Sequence, residues 1–223
     1  MKCNICQGET FLVDQSTNGV PKCLGCHSYP RHRLLYSTLE KYEFLNKEKL
    51  FGTARVLYLS PDFGVHQKLQ DVFGAGYYAS TLEGNIDECI KLNLPDAFNL
   101  FSDNYFDLIV HSCILEHIPG SYKDHLTEFV RILKPNGCMI FNIPFNHNQP
   151  LTSKTIEGGE FLASDAERVA LHRDTDHFKT FGYDFFAEMK KLKGTYSIEK
   201  FTTEQKENMN ANFLTHIHVF IKT

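Results

Sequence analysis

At 223 residues, with 42% hydrophobic and 22% charged residues, the chain has the apolar content of one α/β domain with at most a small appendage, and it is not disordered. Its formal net charge of −4 and pI near 6.2 argue against nucleic acid as the main partner, because phosphate binding leaves a basic footprint. No apolar run approaches a membrane span and MKCNICQGET lacks a signal-peptide pattern, so a cytoplasmic protein with reduced thiols and no membrane contact is expected.

The chain opens with Cys3 and Cys6 in CNIC, then Cys23 and Cys26 in CLGC. A short C-x2-C turn aims two sulfurs at one point, and two such turns complete a tetrahedron. The intervening FLVDQSTNGVP has the pattern of a strand and a turn. Residues 1–30 are therefore expected to form a zinc ribbon, with Cys3, Cys6, Cys23 and Cys26 as ligands. Four thiolates leave no open position, so this zinc is structural. Cys113 and Cys138 sit in apolar runs and are expected to be small buried hydrophobes.

Leucines and aromatics then recur at helical spacing, predicting a helix over 31–46 within a linking segment, 31–50. Arg31, His32 and Arg33 start it as a basic cluster, read as a solvated face or an anion contact. From residue 51 to 223 strands and helices alternate. Strands are expected at ARVLYLS, GYYAST, IKLNLP, FDLIVHSC and GCMIFNIP. An amphipathic helix, SYKDHLTEFVRILKP, precedes the last of these, and KPNG marks its end. A helix at YDFFAEMKKLKG and strands at YSIEKFTT and NFLTHIHVFIKT close the chain. The pattern predicts a doubly wound α/β sheet. Ligands of such sheets bind beyond the C-terminal ends of the strands. A long polar insert, about 146–182, has the character of an acceptor site or lid.

The phrase DNYFDLIVHSCILEHI, followed by a helix and RILKPNG, resembles class I S-adenosylmethionine-dependent methyltransferases. CLGCHSYPRHRLL, SPDFG at 60–64 and DHFKTFGYDFF at 176–186 are similar to a branch of that family with an N-terminal zinc ribbon. The resemblance implies a seven-stranded, Rossmann-like sheet and S-adenosylmethionine as cofactor. It places Ser60, Pro61, Asp62 and Gly64 in the first cofactor loop. Gly64 would allow close approach, and Asp62 would face the ammonium or sulfonium. Thr81 stands where the family has an acid for the ribose, with Leu82 and Glu83 beside it and Glu83 the nearest carboxylate. Asp96 and Ala97 match the adenine site. His111 is expected beside the cofactor.

Methyl transfer to a hydroxyl needs a base, and histidine suits neutral pH. His177, in the branch-specific phrase, and His147, after the fifth strand, are the leading candidates; His117, in LEHI, is the third. The expected acceptor is a small molecule, with a nucleotide sugar or glycan precursor implied by the branch. An RNA methyltransferase and a non-catalytic binding module with a degenerate loop are the alternatives.

Overall fold

The computed structural model describes residues 1–15, 19–81, 89–154, 164–172, 175–211 and 216–223. At the N-terminus, β1 (Phe11–Leu12) and β2 (Lys22–Cys23) pair antiparallel as a small ribbon. Two helices follow, α1 (Pro30–Lys41) and α2 (Lys47–Leu50). The main sheet begins with β3 (Val56–Leu59), α3 (Phe63–Phe73), β4 (Tyr77–Thr81) and β5 (Ile90–Lys91). It continues through β6 (Phe106–Ser112), α4 (Tyr122–Ile132) and β7 (Leu133–Asn142). The insert holds β8 (Ser153–Lys154), α5 (Asp165–His172) and β9 (Lys179–Thr180). Then come α6 (Asp184–Met189), β10 (Gly194–Glu199), α7 (Thr203–Asn208) and β11 (Ile217–Lys222).

The seven-stranded sheet runs β10-β11-β7-β6-β3-β4-β5. β5, β4, β3, β6 and β7 are mutually parallel, and β11 enters antiparallel between β7 and β10. Strand order reverses between β3 and β6, which creates a switch point where their C-terminal ends diverge.

Side chains alternate between two cores, as the pleat requires. Val56 and Tyr58, Leu108 and Val110, Cys138 and Ile140 face one side, packed with α1, α3 and the ribbon. Leu57 and Leu59, Ile109, Met139 and Phe141 face the other, packed with Leu126 and Phe129 of α4 and Phe185 and Met189 of α6. Helix α4 is capped by Ser121, whose side chain accepts from the Asp124 N–H at 3.4 Å.

Several boundaries differ from the sequence reading, each for a local reason. α1 stops at Lys41 rather than 46 because Glu43 adopts φ +61°. The Glu43 N–H then donates to Glu40 O and the Phe44 N–H to Leu39 O, the paired closure of a left-handed helix cap. Lys134-Pro135-Asn136-Gly137 is not a separate turn but the irregular start of β7, with Asn136 at φ +63° and a register shift against β6. The strand expected over 196–203 runs instead from Gly194 to Glu199, and α7 follows, opened by a reciprocal cap between Thr202 and Gln205.

The ribbon is not a loose appendage. Cys3, Ile5, Cys23 and Cys26 belong to the same core as β3, β6 and β7. Arg33 joins them. Its side chain is fully enclosed, and its guanidinium donates to Ser28 O at 2.6 Å, Pro21 O at 2.9 Å, Met209 O at 2.7 Å and Asn210 O at 2.7 Å. His32 is buried too, its Nδ1 3.7 Å from Asp62 Oδ1. The reading of this cluster as a solvated face is thus corrected for His32 and Arg33: a fan of backbone carbonyls at the ribbon seam needs a forked donor. Among the described residues, no helix is long and apolar enough to cross a membrane.

Candidate functional site

Four thiols meet at the N-terminus. The Sγ atoms of Cys3, Cys6, Cys23 and Cys26 all lie within 4.8 Å of one another, with Cys3–Cys26 and Cys6–Cys23 at 3.5 Å. Sulfurs about 2.3 Å from a tetrahedral zinc stand about 3.8 Å apart, so this set fits the ion closely. The Gly8 N–H donates to Cys6 Sγ at 3.4 Å.

The ribbon rests on the start of α3. A β-carbon at Gly64 would lie 3.1 Å from Ile5 Cγ2 and 3.2 Å from Cys26 Cβ. A side chain here would press on the ribbon, so the glycine serves the packing of the ribbon on α3. The Asp62 side chain caps α3 by accepting from the Val65 N–H at 3.2 Å, and Tyr58 Oη donates to its other oxygen at 2.5 Å. With His32 Nδ1 3.7 Å from Oδ1, the carboxylate is held by three neighbours within the fold.

At the switch point two non-glycine residues take left-handed backbone conformations. Ser60, just past β3, has φ +48°, and Cys113, just past β6, has φ +54°. Such strained positions cluster where a fold shapes a ligand site. Both are held by backbone bonds: Ser60 N–H donates to Ser80 O at 2.7 Å, and Cys113 N–H is shared between Asn142 O and Oδ1 at 3.0 and 3.1 Å. Ser60 is exposed and Pro61 is buried. Thr81 ends β4, half-buried. Leu82 and Glu83 lie outside the described residues. Asp96 is exposed at the head of a 3₁₀ turn, with Ala97 and Phe98 packed beneath it.

His111 does not reach this edge. It is fully buried, stacked between Phe129 at 5.4 Å and Phe141 at 4.8 Å, and neither ring nitrogen has a hydrogen-bond partner. Burial lowers its pKa to about 3. The expectation that it flanks the cofactor is corrected: an apolar run on β6 carries it into the core.

Beyond Cys113 the chain makes a 3₁₀ turn over Leu115–His117. The insert folds back onto it, with Phe178 N–H donating to Glu116 O at 2.9 Å. This brings LEHI and DHFKTFG together. Ligating atoms of Glu116, His117 and His177 lie within 4.8 Å of one another, and the two imidazole centroids are 4.6 Å apart. His117 Nδ1 is 3.2 Å from both the carbonyl and the Oδ2 of Asp176, and its Nε2 is 3.9 Å from Glu116 Oε1. Glu116 has a side chain with no exposure and no hydrogen-bond partner on either oxygen. Burial pushes its carboxyl up to about 8. The Lys179 ammonium, nearby, donates to Ile118 O. His147 stands with other partners, its ring against Phe145 at 4.9 Å and His216 at 5.3 Å.

Glu116 was the residue the sequence reading passed over. A glutamate in a surface-type motif reads as solvated, and only the fold-back of the insert encloses it.

A family profile described as "Methyltransferase domain" matches residues 71–141, the stretch from late α3 to β7. The structure of 1,6-didemethyltoxoflavin-N1-methyltransferase from Burkholderia thailandensis, bound to 1,6-didemethyltoxoflavin and S-adenosylhomocysteine, superposes with a TM-score of 0.54. It shares 12% identity, covering 86% of this chain and 77% of that one. The fold is that of a class I methyltransferase. A SAM-dependent methyltransferase from Archaeoglobus fulgidus matches at 15% identity and TM-score 0.49, covering 85% of this chain and 93% of that one. The CurJ carbon methyltransferase matches at 12% identity and TM-score 0.49 over 84% of this chain, which spans only 54% of that protein's length. No curated protein sequence matches the chain significantly. The profile match leaves out the ribbon, the first loop and the insert of this methyltransferase fold.

Proposed function

We propose that the chain is an S-adenosylmethionine-dependent methyltransferase acting on a small acceptor, with a structural zinc on Cys3, Cys6, Cys23 and Cys26. A sugar or glycan precursor, such as a nucleotide sugar, is the acceptor class we favour. The proposed units are the ribbon (1–30), the linking segment (31–50) and the methyltransferase domain (51–223).

One observation carries this reading. The enclosed Glu116, with His117 and His177, stands just past β6, at the sheet edge where Ser60 and Cys113 hold their strained turns. On this proposal Ser60, Pro61, Thr81, Asp96 and Ala97 line the cofactor's side of that edge, with the main chain of Gly64 at the start of α3 beside them. When bound, S-adenosylmethionine supplies a methyl group already activated on sulfur. The remaining work falls to the protein: positioning, exclusion of water and removal of the acceptor's proton. Asp176 orients His117, and the insert brings His177 to the same point. His147 lies further along the acceptor side. RNA as the acceptor loses support, because two members of the basic cluster, His32 and Arg33, are buried in the ribbon seam.

The test is calorimetric titration with S-adenosylhomocysteine, followed by labelled methyl transfer to a panel of nucleotide sugars. Saturable one-site binding supports the reading. No binding by a folded, zinc-loaded protein overturns it and leaves a binding module in its place.

A further inference from the structure

The group Glu116, His117 and His177 has a property that acid–base chemistry does not use. Two imidazoles and one carboxylate converge from different segments, a donor set suited to divalent transition ions. Histidines that bind metal usually donate their second ring N–H to a carboxylate or carbonyl, which fixes the tautomer and turns the other nitrogen to the ion. His117 is arranged this way. Its Nδ1 faces the carbonyl and carboxylate of Asp176, and its Nε2 faces Glu116. The 3.9 Å from Nε2 to Oε1 needs to close only slightly, since two ligands about 2.1 Å from one ion stand about 3 to 3.4 Å apart.

Glu116 supplies the second, independent observation. Its carboxylate is wholly enclosed, and both oxygens lack a hydrogen-bond partner. A buried carboxyl group left this way costs free energy unless something completes it. Arg31, Lys179 and the Cys113 thiol stand near enough to favour its charged form, but none hydrogen-bonds either oxygen: Lys179 donates to Ile118 O, and the Arg31 guanidinium lies over the Tyr29 ring at 5.0 Å.

We propose that Glu116, His117 and His177 bind one divalent transition cation, with Asp176 as the positioning residue for His117. Three protein ligands leave coordination positions open, as in sites where an ion meets a substrate. Resting on the methyltransferase reading above, the ion's partner is an acceptor hydroxyl. Coordination to the ion lowers the hydroxyl's pKa and its proton passes to solvent. The oxygen's electron pair then forms the new C–O bond while the C–S bond breaks, its electrons staying on sulfur. His117 and His177 act here as ligands rather than as bases.

The experiment uses Co²⁺ added to the full chain with its cysteine site already filled by zinc. Expected is one further equivalent bound, with visible d–d absorption and no thiolate charge-transfer band. Glu116→Gln and His177→Asn should each abolish it. Asp176→Asn should weaken it by about 10–100-fold, the usual effect of losing an outer-shell partner. Circular dichroism and retained zinc check that each variant folds. Absence of a second cobalt site in the wild type overturns the proposal, as does cobalt binding that survives in folded Glu116→Gln and His177→Asn. Because cobalt is read without cofactor or acceptor, this failure is distinct from a failure to bind S-adenosylhomocysteine.

Discussion

Gly64 and Cys26 are in direct contact: a β-carbon on the glycine would lie 3.2 Å from Cys26 Cβ and 3.3 Å from its Sγ. The first turn of α3 is therefore seated on a member of the four-cysteine cluster, the proposed zinc site. Gly64→Val should push the ribbon off this helix, at a cost of about 1–3 kcal/mol from overpacking. Thermal unfolding and the rate of zinc release to a chelator measure it. An unchanged melting temperature and release rate would refute the contact's importance.

Arg33 makes a second test of the seam. Arg33→Lys keeps the charge but loses the fork that reaches Pro21, Ser28, Met209 and Asn210 together. Hydrogen bonds to a charged group contribute roughly 1.5–3 kcal/mol each, so a loss of at least about 3 kcal/mol is expected. Urea unfolding gives the value, and a shift below about 1 kcal/mol would show that lysine recovers most of the bonds.

On the acceptor side, His177→Ala and His117→Ala should each slow methyl transfer by at least about 10²-fold, whether the imidazole takes the acceptor's proton or holds the ion that acidifies it, while leaving S-adenosylhomocysteine affinity unchanged. His147→Ala, whose ring packs on Phe145 and His216, should cost far less. Single-turnover rates beside calorimetry separate the two effects. The proposal for His177 fails if its variant loses affinity and rate in equal measure.

Stability should fall on the acid side. Burial lowers the pKa of His111 and of His218 to about 3 each. Both stay neutral in the fold down to that point, whereas the unfolded chain begins to take up protons near the ordinary pKa of about 6.5. The unfolded state then binds more protons, so stability present above about pH 6.5 is progressively lost as pH falls toward 3. Urea midpoints at pH 7, 6 and 5 should decline in order. His111→Phe, which fits between Phe129 and Phe141, should flatten part of that decline; an unaltered slope would assign it to other groups.

The strands of the sheet were legible because VLYL and FDLIVHS are apolar on both faces, the mark of a strand covered twice. The early end of α1 was not, because Glu43 occupies a left-handed cap that sequence reasoning reserves for glycine. The cap of α7 was legible in T-T-E-Q and was overlooked inside a strand-like run. At the candidate site, motifs identified His117 and His177 but not Glu116, whose enclosure depends on a segment some sixty residues later. Gly64 and Asp62 show the same limit. Their types suit a cofactor loop, but which neighbour fills the space beside them is decided by the ribbon and by Tyr58.

The Arg33 fan also orders events during synthesis. The four cysteines leave the ribosome well before Met209 and Asn210, which accept from Arg33 at 2.7 Å each. A nascent chain can close the proposed zinc site long before the surface that receives it exists. Until then a guanidinium destined for complete burial stays in water, and the start of α3 has its ribbon beside it without the final anchor. A chain halted before residue 209 is therefore expected to hold zinc normally while its ribbon is readily cut by protease, whereas the full-length chain resists.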